Sequence, residues 1–163
     1  MKTLLIIWHS RTGAARQMAE AAAQGAREEP EITVRRVPAV EAGAEDLLAA
    51  QGYLFCAPEN LASLSGEMKA FFDRAYYPVL DRLSGRPYGL LVAAGSDGQG
   101  VVRQVGRIAA GWRLRPVAEP VIVNTHAQTP EAILSPKTVS PQDRERCRGL
   151  GQAIAAGMGL GIF

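Results

Sequence analysis

The chain alternates short apolar runs with longer segments that have helical periodicity. Residues 4–8, 53–56 and 88–94 are continuous apolar runs, which are typical of strands buried on both faces of a parallel sheet. Residues 32–37 alternate enough to predict an edge strand with one exposed face. Residues 117–123 contain a proline, which also favours a sheet edge. The pattern therefore predicts five strands.

Helices are predicted in the segments between and after the strands, where small and apolar residues recur at spacings of three and four positions. These segments are residues 13–27, 46–50, 66–79, 101–110 and 141–157. The second is at most a short helix, and the last begins after an N-cap at Ser140 and a first-turn proline. Residues 124–139 show no clear periodicity.

Strands that alternate with helices require right-handed parallel crossovers, with helices on both faces of the sheet. The predicted fold class is therefore α/β, a three-layer doubly wound sandwich, formed by a single domain over residues 1–163. Ligands of such folds bind in the crevice at the carboxyl ends of the strands. Three polar loops follow predicted strands at those ends, at residues 9–16, 58–65 and 95–100.

The first loop, residues 9–16, has the features of a phosphate cradle. Ser10 and Thr12 supply hydroxyl groups, and the following helix offers free N–H groups and a partial positive charge. The Gly-Lys-Ser/Thr of a P-loop is missing, so a monophosphate fits better than a triphosphate. From this loop alone, a plain helix cap by Ser10 or Thr12 explains the same residues equally well.

The other two loops suit a flat ligand. Residues 58–65 lack cations but offer backbone N–H groups, the amide of Asn60 and the apolar Leu61. Residues 95–100 include three glycines, which allow the backbone to approach a planar ring closely or to adopt positive φ. Taken singly, the second loop is more simply an ordinary connection from strand to helix, and the third is a weak signal.

Composition excludes several other classes of protein. Apolar residues make up 47% of the chain and charged residues 21%, as in a globular protein without long disordered tails. The net charge of +2 and the scattered arginines do not indicate a nucleic-acid surface. No signal peptide or membrane-spanning run is evident, so we expect a cytoplasmic protein without membrane contact. Two cysteines and two histidines lack metal-binding spacing.

Five motifs together resemble the flavodoxin-like superfamily. They are HSRTG at residues 9–13, APEN at 57–60, SGEMKAFFDR at 65–74, GRP at 85–87 and AGSDG at 94–98. The chain is most similar to the tryptophan-repressor-binding-protein type of NAD(P)H:quinone oxidoreductase and to NADPH-dependent FMN reductase-like proteins. The likeness spans residues 2–123 and implies a five-stranded parallel sheet of order 2-1-3-4-5.

The resemblance implies that the chain binds FMN. It implies that the phosphate lies on the first loop and the isoalloxazine ring between the second and third loops, which agrees with a monophosphate beside a flat heterocycle. The cofactor-binding residues so implied are Ser10, Arg11, Thr12, Gly13, Ala14, Ala15, Pro58, Glu59, Asn60, Leu61, Ala62, Ser63, Gly95, Ser96, Asp97, Gly98 and Gly100. No catalytic side chain and no metal are assigned, because the flavin carries the chemistry.

Two departures from the family pattern bear on affinity. Ala14 and Ala15 stand where relatives often have residues with hydrogen-bonding side chains. Each lost bond to a charged group is worth roughly 1.5–3 kcal/mol, so FMN binds weakly unless Arg11 or Arg16 compensates. Leu61 and Leu64 replace the aromatic ring that many relatives stack on the flavin.

The function expected from this resemblance is electron transfer from NAD(P)H through FMN to a quinone or similar acceptor, by a homodimer or homotetramer. Residues 124–139 are expected to form a subunit contact or a lid over the flavin. Electron-carrying flavodoxins are typically acidic, whereas this chain has 18 basic and 16 acidic residues, which favours a reductase. A flavodoxin-type carrier or a partner-binding flavoprotein remains an alternative. A more remote one is a serine hydrolase that uses Ser96 with His126.

Overall fold

The sheet is organised around β1, whose four central residues are fully buried. A computed structural model describes all 163 residues. The strands are β1 Lys2–Trp8, β2 Ile32–Pro38, β3 Gly52–Asn60, β4 Ser63–Leu64, β5 Pro87–Ala94, β6 Arg115–Pro116 and β7 Val121–Asn124. The helices are α1 Ala14–Ala26, α2 Ala44–Ala49, α3 Gly66–Ala75, α4 Gln99–Gly111, α5 Pro130–Leu134 and α6 Pro141–Gly159. None of these helices has both the length and the apolar character needed to cross a membrane.

The order of the strands confirms the predicted fold class. Strands β2 and β3 flank β1, β5 lies beyond β3, and both β6 and β7 pair with β5, all in parallel. The short strand β4 pairs only with β3 and lies outside this order. When β5 is counted as the fourth strand, and β6 with β7 as one interrupted fifth strand, the order is the predicted 2-1-3-4-5. The carboxyl ends of β1, β3 and β5 therefore lie next to one another at one edge of the sheet.

Helices cover both faces of the sheet, and each face has its own apolar core. One core packs α2, α3 and α4 on the sheet and includes Phe55, Phe72 and Trp112. The other packs α1 and α6 on the opposite face and includes Met18 and Ile154. The continuous apolar strands arise from this double coverage, because each side of a central strand faces a core.

The predicted end of the third strand was wrong. The apolar run that predicts this strand stops at Cys56, and Pro58 follows it, but β3 continues to Asn60 and turns back into β4 as an antiparallel hairpin. The strand can contain Pro58 because β1 ends at Trp8, level with Cys56. No residue of β1 faces the missing N–H of Pro58, so no ladder hydrogen bond is lost.

Two further expectations need correction. The fifth strand was predicted over residues 117–123, but the structure has two short pieces, β6 and β7, separated by residues 117–120. Pro116 ends β6 and Pro120 is the last residue of the gap, and neither can donate a ladder hydrogen bond. The segment 124–139, which showed no periodicity, contains the short helix α5, capped by the side chain of Thr129.

His9 links the end of β1 to the start of α3. Its Nδ1 lies 2.9 Å from Ser65 Oγ, and its Nε2 lies 3.5 Å from a carboxylate oxygen of Glu67. Burial lowers the pKa of His9 below its ordinary value, and Arg11 adds to the lowering, whereas the Glu67 carboxylate opposes it. The folded protein therefore favours the neutral imidazole.

Because its folded pKa is lowered, His9 should contribute stability that is present above the unfolded pKa of roughly 6.5 and lost as the pH falls through the folded pKa. The free energy of unfolding of His9→Gln should therefore fall less than that of the wild type when the pH is lowered from about 7 to about 5. Urea unfolding at several pH values measures this. The control is His126→Gln, which removes an exposed histidine. An unchanged pH slope in His9→Gln would contradict the assignment.

Helices α1 and α6 approach each other closely at two glycines. A Cβ on Gly25 would lie 2.0 Å from the Arg148 carbonyl oxygen, and a Cβ on Gly151 would lie 1.9 Å from that of Ala22. Both obstacles are backbone atoms, so a side chain at either position forces the helices apart. Gly149, on the same helix α6, has open space around it.

Gly151→Ala should lower the free energy of unfolding by roughly 1–3 kcal/mol, because the helix pair must separate. The matched variant Gly149→Ala should raise it by roughly 0.5–1 kcal/mol, because alanine favours a helix and meets no obstacle. Urea denaturation followed by circular dichroism measures both. Equal effects of the two substitutions would contradict the close packing.

Candidate functional site

A cavity of about 350 Å³ opens at the carboxyl ends of β1, β3 and β5. Its volume falls within the usual range for small-molecule sites. The lining residues come from the three predicted loops, from the end of β5 and from the segment after β7. They are Ser10, Arg11, Thr12, Ala14, Ala15, Pro58, Glu59, Asn60, Leu61, Ala62, Ala93, Ala94, Gly95, Ser96, Thr125, Ala127, Gln128, Ile133 and Lys137.

Five residues of the predicted set do not line this cavity, namely Gly13, Ser63, Asp97, Gly98 and Gly100. Gly13 and Gly98 precede α1 and α4 as N-caps, with φ of 104° and 95°. Such left-handed conformations favour glycine. Ser63 Oγ accepts a hydrogen bond from Gln104, and Asp97 is exposed. The structure places these residues behind or beside the cavity wall.

The first loop presents backbone donors that have no partner in the protein. Ser10 Oγ accepts a hydrogen bond from the N–H of Gly13 at 3.1 Å, so it caps part of the turn. The N–H groups of Ala14 and Ala15 donate to no protein atom, although these residues are only 5% and 1% exposed. Buried N–H groups at a helix N-terminus are suited to an anion.

The second loop is the tip of the β3–β4 hairpin. Leu61 and Ala62 form its turn with φ of 52° and 61°. Left-handed backbone is unfavourable for residues other than glycine, asparagine and aspartate. Leu61 is fully exposed at the cavity mouth. The backbone N–H groups of both turn residues have no protein acceptor, so they are available to a ligand.

Glu59 joins the second loop to the third. Its carboxylate accepts hydrogen bonds from the N–H groups of Gly98 and Gly100, each at 3.0 Å. The acidic group thus caps the N-terminus of α4, where negative charge is favourable. A Cβ on Gly100 would lie 2.1 Å from the Ala62 carbonyl oxygen, so the two loops are in direct contact. Glu59 is therefore a structural tie as well as a lining residue.

The third loop shows no hydrogen-bonded pair of serine nucleophile and histidine base. Its N–H groups at Gly95 and Ser96 have no protein acceptor, but no histidine hydrogen-bonds to the Ser96 hydroxyl. His9 is bonded to Ser65, and only the backbone N–H of His126 makes a hydrogen bond, to Asn124. Ser96 therefore lacks the general base that a serine nucleophile requires.

Several lining residues were missed by sequence reasoning because they lie in the aperiodic segment after β7. Thr125, Ala127, Gln128, Ile133 and Lys137 all contact the cavity. The backbone N–H of Lys137 donates to the Thr12 carbonyl oxygen at 2.8 Å, which fixes this segment against the first loop. No local sequence pattern signals the contact. The unusual length of the connection was the only indication.

The cations near the first loop differ in how they are held. Arg16 pairs with Glu20 on the exposed side of α1 and does not line the cavity, so its expected compensating role is not supported by its position. Arg11 lines the cavity but makes no hydrogen bond or ion pair with the protein. Lys137 lines the cavity with its ammonium 3.4 Å from Thr12 Oγ1.

Comparisons with known proteins agree with the geometry. Residues 24–129 match the NADPH-dependent FMN reductase family. A flavodoxin of Aquifex aeolicus is 31% identical over an alignment of 163 positions, which covers 95% of this chain and 86% of that protein. An NAD(P)H dehydrogenase (quinone) of Acidithiobacillus ferrooxidans is 34% identical over 94 positions, covering 45% of this chain and 47% of that relative. The chain thus spans about half of the latter protein.

Solved structures show the same fold. A WrbA-like flavodoxin from Agrobacterium tumefaciens superposes with a TM-score of 0.74 over 96% of both chains, at 19% identity. The solved structures confirm the flavodoxin-like fold, and the family match and the sequence relatives confirm the predicted superfamily and FMN as the cofactor. The family match begins at residue 24, so it does not itself cover the first loop. The chain belongs to the NADPH-dependent FMN reductase family of flavodoxin-like, FMN-binding proteins.

Proposed function

We propose that this protein oxidises NAD(P)H through FMN and passes the electrons to a quinone or a similar small acceptor. The observation that carries the proposal is the single cavity in which an anion-binding helix terminus and two loops with free backbone donors meet. The family name supports NADPH as donor, and the quinone dehydrogenase relative supports a quinone as acceptor.

In this proposal, the first loop holds the phosphate. The hydroxyls of Ser10 and Thr12 and the N–H groups of Ala14 and Ala15 are its donors. A phosphate there would give an acceptor to two N–H groups that lack a protein partner, and a hydrogen bond to a charged group is worth roughly 1.5–3 kcal/mol. The fit between the residues and the group is therefore good, even though alanines replace hydrogen-bonding side chains.

The second and third loops would flank the ring. Pro58 and Leu61 supply apolar surface, while Leu61, Ala62, Gly95 and Ser96 supply free backbone N–H groups. Bound FMN supplies the redox chemistry, because its ring can accept a hydride from a nicotinamide and pass electrons to an acceptor. The N–H groups would stabilise negative charge there. Those of Gly98 and Gly100 already bond to Glu59, so they do not contribute.

A flavodoxin-type electron carrier is the second candidate. It is favoured by the Aquifex aeolicus flavodoxin, whose alignment covers 95% of this chain. Against it, the net charge is +2, whereas carriers of this type are typically acidic. The two functions differ in whether a nicotinamide reacts directly with the loaded protein.

The FMN-loaded protein should oxidise NADPH when benzoquinone is present, because the bound flavin would accept the hydride and pass the electrons to the quinone. Absorbance at the nicotinamide band measures the rate, with FMN-free protein and free FMN as controls. If neither NADPH nor NADH is oxidised, although the bound flavin can be reduced chemically, the protein is a carrier and the enzymatic proposal is wrong.

A matched pair of variants tests whether Thr12 contacts the phosphate of FMN. Thr12→Val should weaken FMN binding roughly 10-fold, because one hydrogen bond to a charged phosphate is lost. Thr33→Val makes the same change at an exposed position on β2 and should leave the affinity unchanged. Equal affinities of the two variants would exclude Thr12 from the site.

Arg11 should favour NADPH over NADH, because this residue lines the cavity and its guanidinium pairs with no carboxylate. Arg11→Gln should raise the KM for NADPH about 5-fold, as expected for one exposed ion pair, and leave the KM for NADH almost unchanged. Steady-state kinetics with both nicotinamides test this. An equal rise for both donors would show that Arg11 does not contact the additional phosphate of NADPH.

A further inference from the structure

The segment between β7 and α6 closes over the first loop through Lys137. The backbone N–H of Lys137 donates to the Thr12 carbonyl oxygen at 2.8 Å. Its own carbonyl oxygen accepts from the Gln17 side chain on α1 at 2.7 Å. Gln17 also accepts from the N–H of Val139 at 2.9 Å. Three hydrogen bonds thus fix the backbone of this segment to the loop and the helix proposed to hold the phosphate.

The ammonium group of Lys137 also has hydrogen-bond partners in the protein. It donates to the carbonyl oxygens of Ile133 at 3.0 Å and Ser135 at 2.6 Å, at the end of α5. A third, longer contact of 3.4 Å joins it to Thr12 Oγ1. All of these acceptors are uncharged oxygens, so the positive charge is not neutralised by the protein. A fixed cation therefore lies at the edge of the cavity beside Thr12.

The neighbouring arginines do not provide an equivalent charge. Arg16 is paired with Glu20, and the exposed Arg11 has no partner that fixes its side chain. A cation that is already oriented loses less side-chain entropy when it binds an anion than one that must be ordered. Lys137 is thus the basic residue best prepared to meet a phosphate on the first loop.

We propose that Lys137 is the cationic ligand of the flavin phosphate. It would supply, from beyond the last strand of the sheet, the interaction that Ala14 and Ala15 cannot make with their side chains. The inference rests on the proposed position of FMN. It adds that recognition of the phosphate depends on a residue remote in sequence, and that binding weakens with salt because an ion pair contributes.

The test compares FMN with riboflavin, which has the same ring but no phosphate. Flavin-free protein is titrated with each ligand, and quenching of flavin fluorescence is followed. The variants are Lys137→Gln, which removes the charge, and Lys137→Arg, which keeps it. Lys69→Gln is the matched control, because Lys69 lies on the exposed side of α3 and pairs with Asp73.

Lys137→Gln should weaken FMN binding roughly 10- to 100-fold, because the ammonium would exchange its long contact with Thr12 for a hydrogen bond to the charged phosphate, and that bond is lost. It should leave riboflavin binding unchanged, which also shows that the variant is folded. Lys137→Arg should retain most of the affinity for FMN, and Lys69→Gln should behave as the wild type.

Two results would overturn the inference while the proposed function stands. One is an unchanged affinity of Lys137→Gln for FMN. The other is an equal loss for FMN and riboflavin, which would mean that Lys137 only supports the shape of the cavity. A wild-type protein that binds neither flavin would instead overturn the proposed function, and the inference with it.

Discussion

Two buried backbone N–H groups at the start of α1, those of Ala14 and Ala15, have no acceptor within the protein. A hydrogen bond from such a group to a charged acceptor is worth roughly 1.5–3 kcal/mol. These free donors follow from the fold, because the first N–H groups of any helix lack an intrahelical acceptor and α1 begins at the sheet edge where β1 ends. An anion at this point resolves the deficit, and the remaining features of the site are arranged around it.

The loops that would hold the ring depend on contacts between distant parts of the chain. The Glu59 carboxylate caps α4 through Gly98 and Gly100, so the hairpin after β3 and the loop after β5 are fixed relative to each other. The segment after β7 then reaches back to Thr12 through Lys137. The cavity is thus formed by all three loops and by a fourth segment, each positioned by at least one long-range hydrogen bond.

Much of the fold could be predicted from the sequence, because strands that are buried on both faces consist of apolar residues. The runs that became β1, β3 and β5 are apolar throughout, and the Ser140 cap marks the start of α6. The hairpin at Leu61 and Ala62 could not be predicted. Its turn residues adopt positive φ but are not the asparagine and glycine that usually indicate such turns.

The candidate site was only partly predictable for a related reason. Ser10 and Thr12 lie in a local pattern of strand, polar loop and helix, which can be recognised without knowledge of the tertiary structure. Lys137 lies in a segment without periodicity, and its position depends on hydrogen bonds to Thr12 and Gln17. The role of Glu59 likewise depends on the meeting of two loops. Interactions of this kind appear only once the chain is folded.

The most direct test of this account is a crystal structure of the protein with FMN. We expect the phosphate to accept hydrogen bonds from the N–H groups of Ala14 and Ala15, with Lys137 beside it. The ring should lie between the tip of the β3–β4 hairpin and the loop after β5. A flavin bound elsewhere, or one whose phosphate points away from the first loop, would contradict it.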